Sequence, residues 1–422
     1  MASFDVTGLE ALEILDSRGR PTLAVSVTLA DGTTARAGVP SGASTGSREA
    51  AELRDGDKTR YEGRGVLSAV NNVNTEIANL LRGRSWTSLA EADQAVIDLD
   101  GTPNKARLGA NAAVGTSMAL ARALAASARI PLWRWLAPEG VIPSLPVPHF
   151  NVLNGGVHAS NELDFQEFMI APLGASSMAE AVRAGAEVYT ALRRELTGRK
   201  LSVGLGDEGG FAPEIAEPED VLRLLVKAIS GAGYATGPEG VSIALDPAAS
   251  EFRQPDGRYR VADKLLDSTA LIDRLAAITE NFPVHLIEDG LAEDDDEGWI
   301  DLTRRLGPAT ELVGDDIFCT NPAIITGAIK RGIANASLIK LNQIGTVTET
   351  LRAMEICRQA GYKTFVSHRS GETEDSFIAD LAVGTGAGHL KSGAPARGER
   401  TAKYNRLLEI ASSAPSLRYG MA

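Results

Sequence analysis

PVHLIED (283–289) is one of six short apolar runs in this chain that each end in a polar or ionisable residue. The other five are VSIALD (241–246), TELVGDD (310–316), SLIKLN (337–342), KTFVSHRS (363–370) and GHLKSG (388–393). Their ends recur roughly every 23–42 residues, which suits one strand, one helix and two loops per step. This rhythm is typical of a (β/α) barrel, whose reactive groups lie at the C-terminal ends of its strands.

If the runs are strands of one barrel, the residues at their ends converge on one opening. These residues are Asp246, Glu288, Asp315, Lys340, His368, Arg369, Ser370 and Lys391. The three carboxylates offer hard oxygen ligands for Mg²⁺, although each could instead cap a following helix or loop. Arginine with a hydroxyl and backbone N–H groups suits a phosphate, although a salt-bridged surface loop is the alternative. The pattern therefore indicates a catalytic site with a metal.

Lys340 lies inside an apolar run, SLIKLNQIG. Burial lowers the pKa of a lysine because the charged form loses its solvation, and a nearby Mg²⁺ lowers it further. We therefore expect Lys340 to act as a base near neutral pH. The alternative is a lysine paired structurally with an acid.

Three more candidates precede the barrel runs. His158 lies on a glycine-containing loop and Glu167 in an apolar segment, both within NVLNGGVHASNELDFQEFMIAP (151–172). A loop histidine is often merely solvated, but an unpaired charge beside phenylalanines is costly to bury. Glu208 lies in LSVGLGDEGGFAP (201–213), whose glycine pattern is a weak nucleotide signal. Its two acids would repel a pyrophosphate, so we favour a flexible loop that presents Glu208 as an acid or base.

Composition and charge narrow the function classes. The chain has 422 residues, enough for two or three domains, and a net charge of −13. Such a surface disfavours nucleic acid and anionic membranes. No run approaches ~18 apolar residues, and MASFDVTGLE does not resemble a signal peptide, so we expect a cytoplasmic protein. Cys319 and Cys357 match no zinc spacing.

The chain divides at a proline-punctuated stretch, residues 138–149. Before it, residues 4–40 indicate two or three strands with a turn at Asp31–Gly32, and 63–82 and 107–128 have helical spacing. We expect an α/β fold with a small N-terminal α+β capping domain at 1–137, which carries a mobile loop at 40–47. A (β/α)8 TIM-like barrel at 143–422 should form the catalytic domain.

Taken together, these motifs resemble the enolase (phosphopyruvate hydratase) family over nearly the whole chain. The motifs that carry the resemblance include PSGASTGSREA, LNGGVHA, QEFMIAP, GDEGGFAP, IEDGLAEDD, LVGDDIF, IKLNQIGT, SHRSGETEDSFIADLAVGT and HLKSGAPAR. The resemblance implies a barrel enzyme that removes water from 2-phosphoglycerate to give phosphoenolpyruvate, in glycolysis. It also implies two Mg²⁺ ions per active site and a small anionic phosphorylated substrate.

The resemblance also implies a role for each site residue. Asp246, Glu288 and Asp315 correspond to ligands of the tightly held Mg²⁺, and Lys340 to the base that takes the C2 proton. Glu208, supported by Glu167, corresponds to the acid that helps the C3 hydroxyl leave. The resemblance implies that Lys391 contacts the substrate carboxylate and that the phosphate is surrounded by His368, Arg369 and Ser370. It places Ser41 and His158 on loops that close over the site. Ser41 would also contact the second Mg²⁺.

The chain departs from the family pattern mostly outside these motifs. Leu12, Arg20 and Ala24 replace usual residues near the start, Asp296 replaces a usual Trp, and the segment 409–412 differs near the end. In enolases the two terminal segments form ion pairs across a dimer, so we expect a homo-oligomer with altered contacts, if one forms. An alternative is a paralogue acting on a modified 2-phosphoglycerate, such as the carboxyphosphonoenolpyruvate synthase of phosphonate biosynthesis. A non-catalytic binding protein would have lost a metal or base residue, and none is lost.

Overall fold

The computed structural model of the chain describes residues 3–43 and 45–420. Ser44, inside the predicted mobile loop 40–47, lies outside the described residues, and the mobility of that loop stays a prediction. No helix in the two described ranges is long and apolar enough to cross a membrane.

The N-terminal part is a four-stranded antiparallel sheet covered by helices. Its strands are β1 (Phe4–Leu15), β2 (Pro21–Leu29), β3 (Thr34–Gly38) and β4 (Ser85–Trp86), in the order β3-β2-β1-β4. Its helices are α1 (Leu67–Asn72), α2 (Ala78–Leu81), α3 (Leu89–Asp100), α4 (Ala110–Ser127) and α5 (Leu132–Trp135). The β2–β3 turn contains Gly32 at φ +84°, a conformation that glycine adopts without strain. The predicted strands and both predicted helical regions are confirmed.

The second part contains a closed eight-stranded barrel. Its strands are β5 (Val147–Asn154), β6 (Glu167–Ala171), β7 (Ser242–Asp246), β10 (Val284–Glu288), β11 (Glu311–Gly314), β12 (Ala336–Ile339), β13 (Lys363–Ser367) and β14 (His389–Lys391). They close in the order β10-β11-β12-β13-β14-β5-β6-β7. A small hairpin, β8 (Tyr259–Val261) and β9 (Lys264–Leu266), follows β7. The predicted TIM-like barrel is thus confirmed.

Helices cover the outside of the barrel. They are α6 (Met178–Gly198), α7 (Pro218–Gly231), α8 (Ser268–Asn281), α9 (Asp296–Leu306), α10 (Pro322–Arg331), α11 (Leu341–Ile344), α12 (Val347–Gln359), α13 (Phe377–Gly384) and α14 (Gly398–Ser413). Several begin at side-chain caps; for example, Ser177 accepts a hydrogen bond from the N–H of Glu180 at the start of α6.

Strand β6 departs from a uniform (β/α)8 pattern, because it runs antiparallel to both β5 and β7. No α-helix lies between Asn154 and Glu167, and parallel neighbours need a crossover connection that this short segment does not supply. The reversed direction brings Glu167, the first residue of β6, opposite Asp246, the last residue of β7. Glu167 thus reaches the end of the barrel at which the parallel strands terminate.

The barrel interior contains a compact apolar layer between its two ends. The residues of this layer are Met169, Ala244, Leu286, Val313, Ala336, Leu338 and Phe365. The layer separates the C-terminal end of the barrel, which we call the mouth, from the N-terminal end, which we call the base of the barrel.

Buried polar contacts join the N-terminal part to the barrel. Lys105 lies 2.9 Å from Glu349 at the start of α12. Asp93 on α3 accepts hydrogen bonds from Ser117 on α4 and from Thr348 on α12. Burial is the main cause that raises the pKa of Asp93 to about 6. These contacts hold the N-terminal part over α12 and beside the mouth.

Candidate active site

The predicted residues of the barrel are brought together at its mouth. Asp246, Glu288 and Lys391 are the last residues of β7, β10 and β14, and Asp315 and Lys340 directly follow β11 and β12. The cleft at the mouth is lined by His158, Gln166, Glu167, Glu208, Asp246, Lys340, Ser367, His368, Arg369, Ser370 and Lys391.

Lys391 lies at the centre of a group of buried carboxylates. Its Nζ is 3.3 Å from Glu167, 3.2 Å from Asp246 and 2.7 Å from Glu288. Burial alone would lower the pKa of Lys391, but these acids raise it well above its usual value. Burial, followed by the charge of Asp246, raises the pKa of Glu288 well above its usual range. Lys391 is therefore a fixed cation in an acidic site.

Lys340 contacts Asp315 through a direct ion pair, and Gln343 donates to the second carboxylate oxygen of Asp315 over 2.8 Å. Burial lowers the pKa of Lys340, but Asp315 outweighs it, so the pKa lies above its usual value. Our expectation that burial alone would depress this pKa is wrong for the side chain as it is paired here. A group that drew Asp315 away from Nζ would remove the opposing charge and let the pKa fall.

His158, Glu167 and Glu208 form a second compact group, whose ligand atoms lie within 4.8 Å of one another. Burial and then the charge of Glu208 raise the pKa of Glu167 well above its usual value. Burial acts in the same direction on Glu208, but His368 and His158 outweigh it and lower its pKa well below that value. The proton of the pair therefore resides on Glu167 in this arrangement, whereas the sequence had suggested Glu208 as the acid.

The segment after β13 forms one wall of the mouth and is held by a buried arginine. Arg400 on α14 donates to Nδ1 of His368 over 2.5 Å and to the carbonyls of Arg369 and Ser370 over 2.6 Å. Nε2 of His368 lies 3.3 Å from Glu208. One arginine thus fixes three consecutive residues of this wall.

The guanidinium of Arg369 is paired at 2.9 Å with Glu49, which follows the 40–47 loop. The backbone of the loop itself joins the barrel, because Ser41 and Gly371 exchange hydrogen bonds of 2.8 and 2.9 Å. The Ser41 hydroxyl donates to Glu52 over 3.1 Å and accepts from Arg54 over 2.8 Å. In the structure the loop is therefore docked on the segment that contains Arg369 and Ser370.

Comparison with known proteins accounts for this arrangement. The family model for the enolase N-terminal domain matches residues 6–136, and that for the enolase C-terminal TIM barrel domain matches residues 143–417. The chain belongs to the enolase family. It is 52% identical to "Enolase 1" of Chlorobaculum tepidum over an aligned region of 408 residues, and this region covers 96% of this chain and 95% of that protein. It is 53% identical over 411 residues to "Enolase" of Rubrobacter xylanophilus, which covers 97% and 95%.

As an enolase, the chain is a hydro-lyase that removes water from 2-phosphoglycerate to give phosphoenolpyruvate, and it uses a divalent metal, typically Mg²⁺. The near full-length match to enolases does not favour the paralogue alternative in phosphonate biosynthesis.

The donor set of this enolase fits a divalent cation. Seven buried carboxylates surround the mouth: Glu167, Glu208, Asp246, Glu288, Asp289, Asp315 and Asp316. The lysines that contact them in the described ranges are Lys340 and Lys391. Negative charge therefore exceeds positive charge in a buried space with oxygen donors, which is the environment that Mg²⁺ requires.

The carboxylates differ in how they could reach a metal. Asp289, Asp315 and Asp316 have oxygens within 4.8 Å of one another. Asp289, however, already accepts from the N–H groups of Asp315 and Asp316 over 2.8 and 2.9 Å, so it shapes that loop. The predicted ligands Asp246 and Glu288 contact Lys391 instead.

Several functional residues of this enolase were missed by sequence reasoning. Arg400, Arg18, Asn151 and Gln343 all contact predicted site residues: Arg18 donates to Ser370 over 3.3 Å, and Asn151 donates to Glu208 over 2.9 Å. Asp289, which directly follows Glu288, could have been found from its position at a strand end. The other four had no such signal, because they lie on α14, near the start, on β5 or on α11, outside the strand-end pattern.

Proposed function

We propose that the dehydration of 2-phosphoglycerate is carried out by Lys340 as the base and by the Glu167–Glu208 pair as the acid. The single observation that carries this proposal is their placement in the barrel. Lys340 follows β12 and Glu167 begins β6, and these two strands are four positions apart in a closed order of eight. A substrate between them would meet the base on one side and the acid on the other. This geometry suits an anti elimination.

The base must remove a proton from C2, which is weakly acidic because the adjacent group is a carboxylate. Its loss places a second negative charge on that carboxylate. Lys391, a buried cation among the acids of β6, β7 and β10, would stabilise the charge as it develops. Lys340 must be neutral when it accepts the proton, so its ion pair with Asp315 has to open first.

The acid must give a proton to the C3 hydroxyl. Glu167 holds the proton at rest, and Glu208 is close enough to exchange it. Nε2 of neutral His368 lies 3.3 Å from Glu208 without a hydrogen bond, and a small rotation of the ring would let it donate to this carboxylate and keep it ionised until the hydroxyl arrives. We assign His158, 3.6 Å from Glu208, to the wall that closes over the leaving group.

The phosphate of the substrate would bind at Arg369 and Ser370. Arg369 is a permanent cation, and a phosphate there would compete with Glu49. We propose that Asp246, Glu288 and Asp315 hold one Mg²⁺, since they lie on the neighbouring strands β7, β10 and β11. Ser41, on the docked loop, would contribute to a second. Bound Mg²⁺ would supply positive charge beside the substrate carboxylate.

Other expectations remain proposals. We propose a cytoplasmic enzyme with the capping domain at 1–137 and the catalytic barrel at 143–422. We also propose a homodimer whose contacts are altered at Leu12, which is 49% exposed. Ala24 gives this idea no support, because it is 1% exposed within the chain and offers little surface to a partner.

The proposal is tested with purified protein, Mg²⁺ and 2-phosphoglycerate, followed by the ultraviolet absorbance of the enol product. We expect turnover that requires Mg²⁺. The same assay with 2-phosphoglycerate that carries a phosphonate on C3 distinguishes the paralogue. A paralogue should turn over unmodified 2-phosphoglycerate about 10²-fold or more slowly than the modified substrate, a loss of about 3 kcal/mol of transition-state binding. Absence of product from 2-phosphoglycerate would overturn the proposal.

A further inference from the structure

Three of the five histidines of the chain meet at the base of the barrel, and none of them lines the cleft at the mouth. His149 lies on β5, His285 on β10 and His389 on β14. The ring centres of His149 and His285 are 5.2 Å apart, and those of His149 and His389 are 4.8 Å apart. The apolar layer that includes Phe365 separates this cluster from the mouth. The chemistry of dehydration gives it no role.

His149 presents the lone pair of its Nε2 to His285. Its Nδ1 lies 3.1 Å from the carbonyl oxygen of Val147, and a carbonyl only accepts hydrogen bonds. Nδ1 therefore carries the proton, and Nε2 keeps its lone pair. Nε2 lies 3.2 Å from Nε2 of His285. Zn–N bonds of about 2.0–2.1 Å give a tetrahedral edge of about 3.3 Å, so the two nitrogens already have the spacing of neighbouring zinc ligands.

His389 presents a second lone pair, and this one has no partner. Its Nε2 lies 2.8 Å from a carboxylate oxygen of Glu311, so in the neutral form of the ring the proton is on Nε2 and the lone pair on Nδ1. His389 is 0% exposed, and its Nδ1 has no hydrogen-bond partner. An unpartnered buried acceptor is costly unless something binds it. A histidine that is held by a carboxylate on its other nitrogen is the usual form of a metal-ligating histidine.

We propose that His149, His285 and His389 form a binding site for a transition-metal dication such as Zn²⁺, supported by Glu311 behind His389. Imidazole nitrogens suit such metals, whereas the oxygen-rich mouth suits Mg²⁺. The site would tie together β5, β10 and β14, which come from widely separated parts of the chain. It does not depend on the proposed function, because none of its ligands is assigned a part in the dehydration.

Binding requires one adjustment of the cluster. The described residues with three ligand atoms within 4.8 Å of one another are the two groups at the mouth, so a ring must turn to bring the third nitrogen in. His285 is partly exposed whereas His149 and His389 are buried, so we infer that the ring of His285 is the one that turns. At rest Nε2 of His285 donates a hydrogen bond to Nε2 of His149. When the metal binds Nε2 of His285, this proton would be lost to solvent and Nδ1 of the same ring would take one up. The ring stays neutral and there is no net loss of a proton.

The site is tested by titrating the full-length protein with Co²⁺ in a large excess of Mg²⁺, which occupies the mouth. Four-coordinate Co²⁺ with nitrogen ligands has strong visible absorption, whereas Co²⁺ with six oxygen ligands absorbs weakly. We expect one equivalent of strongly absorbing Co²⁺, displaced by Zn²⁺. His389→Gln should abolish the strong band, and Glu311→Gln should weaken Co²⁺ binding about 10–100-fold, because it removes the carboxylate that orients His389.

Two measurements keep the test decisive. Both variants should retain turnover with Mg²⁺, which shows that they fold. His158→Gln, at the mouth, should keep the strong Co²⁺ band. Absence of the band from the unaltered protein, or an equal band in His389→Gln, would overturn the proposal. If His389→Gln fails to fold, Glu311→Gln and His285→Gln decide in the same way.

Discussion

Arg400 donates a hydrogen bond of 2.5 Å to Nδ1 of His368, and this contact fixes the tautomer of the histidine. A guanidinium has donors and no acceptor, so Nδ1 must carry the lone pair and Nε2 the proton. Nε2 lies 3.3 Å from Glu208. Burial lowers the pKa of His368 to about 3, so the ring is neutral. A residue on α14 thus fixes the tautomer of the histidine that lies beside Glu208 at the mouth.

We predict that Arg400→Lys lowers kcat by about 10², with a smaller change in KM, because a lysine cannot hold His368 and two carbonyls at once. The measurement is steady-state kinetics with circular dichroism to verify folding. Arg406→Lys is the matched control, since Arg406 lies on the same helix but pairs with Asp380 at 2.8 Å. Equal kinetics for the two variants would remove the positioning role of Arg400.

We predict that Lys340→Ala abolishes product formation while the substrate still binds. Removal of a general base costs on the order of 10²–10⁴ in rate. Exchange of the C2 proton with deuterated solvent, followed by NMR, should stop as well, and calorimetry should still detect binding. Lys330→Ala on α10 is the control for loss of a lysine. A variant with more than about a tenth of normal turnover would show that another group is the base.

We predict that Glu208→Gln impairs dehydration more severely than Glu167→Gln. Glu167→Gln keeps the neutral resting form and leaves Glu208 to take up a proton from solvent, whereas Glu208→Gln removes both the resting charge and the group that passes the proton on. A loss on the order of 10²–10⁴ is expected for Glu208→Gln, the range for a lost general acid or base. C2 proton exchange should continue in both variants. If Glu167→Gln is the more damaging change, the assigned proton distribution is incorrect.

We predict that Asp315→Asn raises the Mg²⁺ concentration needed for half-maximal activity and that excess chelator abolishes turnover. The amide keeps one oxygen but loses the charge that a hard dication requires. The measurement is an activity titration with Mg²⁺, and Asp301→Asn on α9, whose carboxylate pairs with Arg304, is the control. Full activity in chelator would contradict the metal requirement.

We predict that His285 makes the free energy of unfolding decrease as the pH is lowered. Burial lowers the pKa of His285 to about 3, whereas an unfolded histidine has a value near 6.5. The unfolded chain therefore binds the extra proton, and stability present above pH ~6.5 is lost as the pH falls towards 3. Between pH 7 and 5, in the presence of chelator, the free energy of unfolding measured with urea should fall in both proteins. The fall should be about 1–2 kcal/mol smaller in His285→Gln than in the unaltered protein. Equal losses in both proteins would refute this.

The antiparallel strand β6 shows why part of the site could not be predicted from the sequence. Glu167 was a candidate because a carboxylate stands between phenylalanines, but its place at the mouth depends on the direction of β6. The pKa of Lys340 is a similar case. Its burial was predictable from SLIKLN, but the net direction depends on an ion pair with Asp315 across a loop.

The sequence by itself determined the barrel and the residues around its mouth. One strand, one helix and two loops need a characteristic number of residues, so the spacing of the apolar runs predicted the barrel. Parallel strands end on the same side of a barrel, so the polar residues at the six strand ends were predicted to share one opening. Only the tertiary structure decided which of these groups touch. It placed Lys391 among three acids, turned Arg400 towards His368, and brought His149, His285 and His389 together. Such contacts depend on which side chains face the interior of the closed barrel, and local periodicity carries no information about distances across it.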